Sequence, residues 1–539
     1  MKNLNKKETN MKSIDQQFAH YLAYSGLERK EYQADGVRWC VANELSKEQD
    51  KLKGGIVADE MGLGKTILMI GTMVVNIKPN TLIVLPPVLI EQWCQQIRKT
   101  TGYEPLVYHG TAKKFIDLNQ LLAARIVVAS YGAISIRKGD KRLLLTPLRI
   151  ENAQSASSSS LITAPEGGVL NERRCNNNNK LQKIVWSRVI FDEAHHLRNR
   201  GARFFGACEL KAEIRWLVTG TPIQNKKKDF YNLCEVLGLS RSFYTDLELL
   251  RANASSFILK RTKKQVGIQM TDVVSEKTTV PWTNSREREL FEEVHSQLKF
   301  SGVGQSADRV GIDRITHGRP LTNIIRARQV SIMPKLLTAC MTRYEQDHYA
   351  HGLTAYSKLG AVVASILANR DNGAGKLVFC MFKEEIDEVY ERLLEGGMTK
   401  VARLDGRTGK RDRAAALTEK NEALVLQIQT GCEGLNLQEN YNEIYFVSPH
   451  WNPAVEDQAI ARCHRIGQMK DVVVRRFVST FEKSGAKSVA TESTFEKVEP
   501  NADESEELEQ VTMEGYVSKV QDYKRYLADQ ILGSTFSKS

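Results

Sequence analysis

Residues 54–66, GGIVADEMGLGKT, constrain this chain more than any other stretch. A short apolar run ends in a turn rich in glycine and acidic residues, and the Gly64-Lys65-Thr66 that follows leads into TILMIGTMVV, which has the composition of a helix. The order is strand, phosphate-type loop, helix. Such a loop wraps phosphates in backbone N–H groups, while a lysine and a hydroxyl supply charge and a magnesium ligand. Asp59 stands where the strict pattern has its first glycine, so the match fails by one residue. A glycine-rich turn before an ordinary helix would leave the same string, and partners elsewhere in the chain must decide.

At 539 residues with 42% hydrophobic content, the chain is long enough for more than one core, and length alone suggests about three domains. No segment approaches the roughly 18 continuous apolar residues of a membrane helix, and the N-terminal stretch lacks the apolar core of a signal peptide. An intracellular protein with no membrane partner is expected. The nine cysteines include no Cys-x-x-Cys pair, so neither a disulfide framework nor a zinc module is expected. The net charge of +12 favours a polyanionic partner, although solubility alone also explains a basic surface.

Along the chain, buried-strand runs alternate with helical stretches. Tyr32, Val37 and Cys40 share a helical face in KEYQADGVRWCVANE, beside Gln33, whose amide offers a donor and an acceptor or is simply solvated. TLIVLPP and RIVVASYGAIS are strands, the second ending at Ser130 and Tyr131. VWSRVIFDEAHHLRN places Asp192 and Glu193 at the carboxyl end of another, where one carboxylate can hold a divalent cation while its neighbour polarises water, as phosphoryl transfer needs, although acidic residues are also common after a strand. IRWLVTGTPIQN runs into Thr219, Gly220 and Thr221, which form a hydroxyl relay or merely a turn. Alternation of this kind argues for parallel sheets covered on both faces, with ligands at the carboxyl ends of the strands.

Alternation fades from about 235 to 355 and returns at KLVFCMF, RLDGRT, EALVLQIQTGCEGLNLQ and EIYFVSPHWNPAVEDQAIARCHRIGQ, a second parallel unit without a phosphate loop. Two such units sharing one loop suggest a cleft between lobes. Gln458, Arg462 and Arg465 recur at i, i+4 and i+7, one face of a helix. That face is a solvated basic surface, or it carries guanidinium groups toward a phosphate.

In this order, YQADGVRW, GGIVADEMGLGKT, TLIVLPPVLIEQW, DEAHHLRN, VTGTPIQN, KLVFCMF, RLDGRT, TGCEGLNLQ and HWNPAVEDQAIARCHRIGQ, spanning residues 32–468, resemble the Swi/Snf-like DNA-dependent ATPases of helicase superfamily two. WSRVIFDEAHHLRN and EDQAIARCHRIGQ are most similar to the branch of post-replication-repair translocases and transcription-release factors. The resemblance implies an α/β fold of two RecA-like lobes with parallel sheets, and an inserted or linking helical region. It implies ATP and Mg²⁺ as ligands, with Asp59, Glu60, Met61, Gly62, Leu63, Gly64, Lys65 and Thr66 as the loop around the nucleotide and Gln33 on adenine. Thr66 and Asp192 would hold the metal, Glu193 would activate water, and Arg462 and Arg465 would be arginine fingers with Gln458 beside them. Thr219, Gly220, Thr221, Ser130 and Tyr131 would couple hydrolysis to motion, and Trp451 would lie near DNA. The activity implied is ATP-dependent translocation on double-stranded DNA that remodels or displaces bound proteins, in transcription or repair. Chromatin or transcription proteins are further partners, and the compartment is the nucleus, of a host cell if the source is viral. A strand-separating helicase and a recruitment protein with little turnover are the alternatives.

The expected layout is a flexible tail over 1–24, a first lobe over 25–245 with a disordered insert at about 139–183, and a helical region over 246–355. A second lobe over 356–482, an acidic linker over 483–510 and a terminal helix over 511–539 complete it. Val520, Tyr523, Leu527 and Ile531 form the apolar stripe expected to pack that last helix.

Overall fold

Apolar residues in the strand runs divide strictly between two faces, and this fixes the architecture. The computed structural model describes residues 2–46, 52–136, 179–296, 320–340, 356–431, 435–480 and 512–532. They form two units, Met1–Gln269 with Leu527–Ser539, and Met270–Tyr526.

In the first unit β1 (Gly54–Val57), β2 (Thr81–Leu85), β3 (Leu106–Tyr108), β4 (Ile126–Ser130), β5 (Val185–Asp192), β6 (Lys211–Val218) and β7 (Ile258–Leu259) form one sheet. Its order is β3-β4-β2-β5-β6-β1-β7, and every pairing is parallel. Ile56, Leu82, Val84, Val127 and Phe191 enter one apolar cluster, while their neighbours Val57, Ile83, Leu85, Val128 and Ile190 enter a second. Side chains alternate across a strand, so helices must cover both faces.

The helix Lys2–Ser25 corrects the expected flexible tail. Phe18, Tyr21 and Leu22 are buried, and Ile14 packs beside them. These apolar positions lie at i, i+4, i+7 and i+8 in an otherwise polar stretch, a stripe that composition conceals.

A buried ion pair secures the helix Glu31–Glu44, which carries Gln33, to this sheet. Arg188 Nε donates to Glu44 Oε1 at 2.6 Å, and Trp216 Nε1 donates to the same oxygen at 2.8 Å. Asn76 Nδ2 donates to Glu44 Oε2 at 2.6 Å. Both charged side chains are essentially inaccessible. Replacing Arg188 by Met strands a buried carboxylate, which costs about 3–5 kcal/mol. At roughly 2–4 °C per kcal/mol for a domain of this size, a thermal melt of Arg188→Met should fall by several degrees or more. A melt coincident with the parent's would contradict this reading of the pair.

In the second unit β8 (Val273–Val280), β9 (Lys376–Cys380), β10 (Val401–Leu404), β11 (Ala423–Gln427), β12 (Glu443–Phe446) and β13 (Val472–Ser479) form a parallel sheet ordered β10-β11-β9-β12-β13-β8. Val378, Cys380 and Tyr445 face one cluster, and Leu377, Phe379 and Ile444 the other.

The 246–355 region is not wholly helical. It contains the helices Leu247–Phe257, Ser285–Ser296 and Pro320–Val330, but β7 completes the first sheet and β8 the edge of the second. β8 is exposed at every position except Val280, so it lacks the apolar run by which the other strands are recognised. At the end of the 139–183 stretch, residues Lys180–Lys183 form a short 3-10 helix. Leu181 is buried, and its carbonyl accepts the indole N–H of Trp186 at 3.0 Å. Residues 139–178 and 483–510 lie outside the described residues. The terminal helix is Met513–Leu532, and it buries Met513, Tyr516, Val517 and Val520. Of the expected stripe only Val520 is buried in that cluster. Tyr523 is partly exposed, and the side chains of Leu527 and Ile531 lie outside the described residues.

Among the described residues, no helix is long and apolar enough to cross a membrane.

Candidate functional site

The loop after β1 returns the chain to a helix, Lys65–Val75, whose N-cap, Gly64, lies in the left-handed region at φ 78°. A side chain at Gly64 would be strained there, and its Cβ would come 2.5 Å from Gln33 Nε2. Glycine therefore leaves the helix N-terminus open to an anion. Lys65 Nζ donates to the carbonyls of Asp59 at 2.8 Å and Glu60 at 3.3 Å. Gln33 Nε2 donates to Leu63 O at 3.4 Å, so the amide suggested for adenine borders the same loop. Met61 and Gly62 form the turn of the loop, Gly62 at φ 93°. Thr66 is half-buried in the first turn of the helix.

Asp59 does not turn toward the phosphate side. Its carboxylate is gripped by Arg261, Nε to Oδ1 at 3.0 Å and Nη2 to Oδ2 at 2.5 Å. Its presence at the first glycine position is thus accounted for: that place in the loop carries an anchor. Glu60 is held likewise, by Lys263 N at 2.8 Å and Lys263 Nζ at 3.5 Å.

Asp192 and Glu193 end β5. Trp93 Nε1 donates to Asp192 Oδ2 at 2.7 Å, and the Glu193 N–H donates to Oδ1 at 2.9 Å. Burial, then the charge of Glu193, push the Asp192 carboxyl up to about 6, while these two hydrogen bonds and the Lys65 ammonium pull it back. Lys65 and Asp192 therefore share one electrostatic environment. Glu193 is the one non-glycine with positive φ among the described residues, at 49°. Such a conformation is uncommon outside glycine and clusters at functional sites. It places the Glu193 carboxylate 3.3 Å from His195 Nδ1, which lies 3.4 Å from Thr219 Oγ1.

Thr219 follows β6, accepts the Thr221 N–H at 3.2 Å, and is fully buried. A Cβ on Gly220 would come 3.4 Å from Lys65 Nζ and 3.0 Å from Met61 Cγ, so this turn lies against the phosphate loop. Thr221 Oγ1 accepts from Gln224 Nε2 at 3.1 Å, and Gln224 Oε1 accepts from Arg198. Ser130 and Tyr131 are both buried. Ser130 Oγ lies 2.9 Å from His109 Nδ1, and Tyr131 OH donates to Asp192 O at 2.7 Å.

In the second unit, Asn452 caps the helix Pro453–Ile460, which carries Gln458 as a buried residue. The helix stops at Ile460, so Arg462 and Arg465 are not on it, and the expected common face fails. Arg462 N and Cys463 N bond three residues back, to Ala459 O and Ile460 O, while Leu437 N takes Arg462 O. Cys463 Sγ is fastened to Tyr441 O at 2.7 Å, and Gln468 Nε2 to Tyr441 O and Gln438 O at 3.0 Å. These long-range bonds stop the helical repeat. The two arginines nevertheless remain neighbours, since burial and then the Arg462 charge lower the Arg465 guanidinium below its usual value. Arg465 Nη1 donates to Asn436 Oδ1, and Arg462 Nε is buried without a partner among the described residues. Trp451 packs against Tyr516, with ring centroids 6.0 Å apart, and lies 5.1 Å from Lys524 Nζ. It packs against the cluster that the terminal helix forms with Ile324 and Ala327.

Trp93, Arg261 and Lys263 are the residues sequence reasoning missed. In the sequence Trp93 is one more apolar residue of VLIEQWCQQIRK, and Arg261 and Lys263 are two charges within the basic run FILKRTKKQV. The donors around the first site fit nucleotide and metal. The positive lysine, the open helix N-terminus and the glycines suit phosphates, and a hydroxyl with a carboxylate suits a hard cation such as Mg²⁺.

A phosphate-type loop beside a carboxylate pair, both at strand ends of a parallel sheet, fits the binding of a nucleotide and a divalent cation. The SNF2-related domain matches residues 32–336, and the helicase conserved C-terminal domain matches residues 357–467. The chain belongs to the SNF2-related family, a family of DNA-dependent ATP hydrolases. It is 26% identical over 479 residues to the probable global transactivator of Orgyia pseudotsugata multicapsid polyhedrosis virus, covering 84% of this chain and 87% of that protein. It is 25% identical over 550 residues to the DNA excision repair protein ERCC-6-like of Danio rerio, covering 85% of this chain and 35% of that protein. Chromodomain-helicase-DNA-binding protein 8 of Rattus norvegicus is 26% identical over 481 residues, covering 84% of this chain, which spans 17% of its length. A solved structure, the Sulfolobus solfataricus SWI2/SNF2 ATPase core in complex with dsDNA, aligns at 22% identity and a TM-score of 0.36, over 84% of this chain and 88% of that one.

Proposed function

We propose that this chain hydrolyses ATP to move along double-stranded DNA and so remodels or displaces proteins bound there, serving transcription or repair in the nucleus, or in a host nucleus if the chain is viral. The gathering of Lys65, Asp192, Glu193 and Gly220 at the carboxyl edge of the first sheet carries the reading. Lys65 and the loop N–H groups bind the β- and γ-phosphates, and Gln33 meets the adenine edge. Thr66 and Asp192 hold Mg²⁺, which neutralises phosphate charge when bound. Glu193 takes a proton from the water whose oxygen bonds to the γ-phosphorus as the bridging P–O bond to ADP breaks. Arg462 and Arg465 meet the charge that builds on the transferred group.

The net charge of +12 supports a polyanionic track, and phosphate contacts supply affinity without sequence information. DNA-bound proteins of chromatin or transcription are the partners that translocation would act upon. Displacement of a triplex-forming strand, set beside unwinding of a plain duplex, tests the proposal. ATP-dependent triplex displacement without unwinding is expected. Strand separation would replace the translocase with a helicase, and displacement that is independent of ATP would overturn the motor.

A further inference from the structure

Tyr32 and Gln33 lie in the first turn of the helix Glu31–Glu44 and the 59–64 loop leads into the helix Lys65–Val75; beside the Gln33 contact to Leu63, one side chain from a third segment grips both. Arg261 holds the two oxygens of Asp59, at 3.0 and 2.5 Å. Its remaining terminal nitrogen, Nη1, donates to the carbonyl of Tyr32. Its guanidinium carbon stands 5.7 Å from the Tyr32 ring centroid. Asp59 is 1% exposed and Arg261 16%, so the contact is largely withdrawn from solvent. A guanidinium is the one side chain with a rigid fork for a carboxylate and a further donor for a carbonyl.

The rest of the segment is fastened to the same loop. Leu259 O accepts from Ala58 N at 2.7 Å, Arg261 O from Glu60 N at 2.9 Å, and Lys263 N donates to Glu60 Oε2 at 2.8 Å. Beyond β7 the chain thus continues along the phosphate loop residue by residue. There is no room for slack beside it: a Cβ on Gly36 would lie 2.9 Å from Arg261 Nη2.

We infer that Arg261 is a positioning residue that locks the adenine-side segment Tyr32-Gln33 to the phosphate loop through Asp59, so that base and phosphates are recognised as one unit. The inference rests on the ATP reading of this site. Arg261 acts through Tyr32 and Asp59. Its loss lets each half of the site shift against the other, which weakens binding and blurs the choice of base together.

Competition of ATP and GTP against a fluorescent ATP analogue, on the full chain, tests it. The parent should bind ATP more tightly than GTP, in a manner that Lys65→Ala abolishes. Arg261→Ala should weaken ATP by roughly tenfold, the scale of losing an outer support of a site, and shrink the ATP/GTP preference by a similar factor. Arg261→Lys should fall between, because a lysine cannot span both Asp59 oxygens and the Tyr32 carbonyl. Asp59→Asn keeps shape but loses the charge pair and should move in the same direction, and it decides the matter if Arg261→Ala does not fold. A purely structural role would lower the folded fraction and leave the ratio untouched. Folded Arg261→Ala with ATP affinity and ATP/GTP ratio both within about twofold of the parent would overturn the inference while leaving the ATP site standing. A parent with Lys65-dependent ATP binding but no preference over GTP would also overturn it. A parent that binds neither nucleotide would instead sink the ATP reading beneath it.

Discussion

Lys65→Ala is expected to reduce ATP hydrolysis by at least about 10²–10³-fold, the scale of removing one preorganised electrostatic group from a transition state. The ammonium is the single cation placed by the loop itself, on the carbonyls of Asp59 and Glu60. Its charge reaches Asp192, which burial would otherwise leave still more readily protonated. Removing it takes away the proposed phosphate partner and raises the cost of an ionised Asp192 in one step. Steady-state phosphate release, with circular dichroism to confirm folding, checks this. Activity within tenfold of the parent would mean that the loop is not where phosphates bind.

Glu193→Gln should separate hydrolysis from binding. The carboxylate is held 3.3 Å from His195 by a backbone conformation that glutamine tolerates as well as glutamate. Shape is thus preserved, while the carboxylate proposed to accept the proton from water is lost. General-base removal costs about 10²–10⁴-fold in kcat. ATP affinity, measured by competition against a fluorescent nucleotide, should stay within a few-fold of the parent's. Equal losses in affinity and turnover would make Glu193 a structural residue. Full biological activity in this variant would favour a recruitment protein whose nucleotide is bound and not spent.

Much of the first site was legible because its residues sit at strand ends, where apolar runs stop abruptly. GGIV before the loop and VIF before Asp192 mark those ends without ambiguity. What escaped was non-local or masked by polarity. Nothing local ties Trp93 to Asp192, 99 residues away, or Arg261 to Asp59, 202 residues away. The helix Lys2–Ser25 hid because a few apolar residues suffice to dock it, and β8 because its outward side chains read as loop. The i, i+4, i+7 spacing misled at Arg465 because Gln468 and Cys463 fasten that segment to Tyr441. Periodicity says where side chains fall if a helix continues, and tertiary bonds decide whether it does.

The central claim is that the loop at 59–66 belongs to a motor that spends ATP on duplex DNA. The most direct measurement is the ATPase rate of the full chain with saturating double-stranded DNA, single-stranded DNA and RNA in parallel. A rate that rises strongly with double-stranded DNA, rises less with the other two, and vanishes in Lys65→Ala is the expected result. A rate indifferent to double-stranded DNA would contradict the claim.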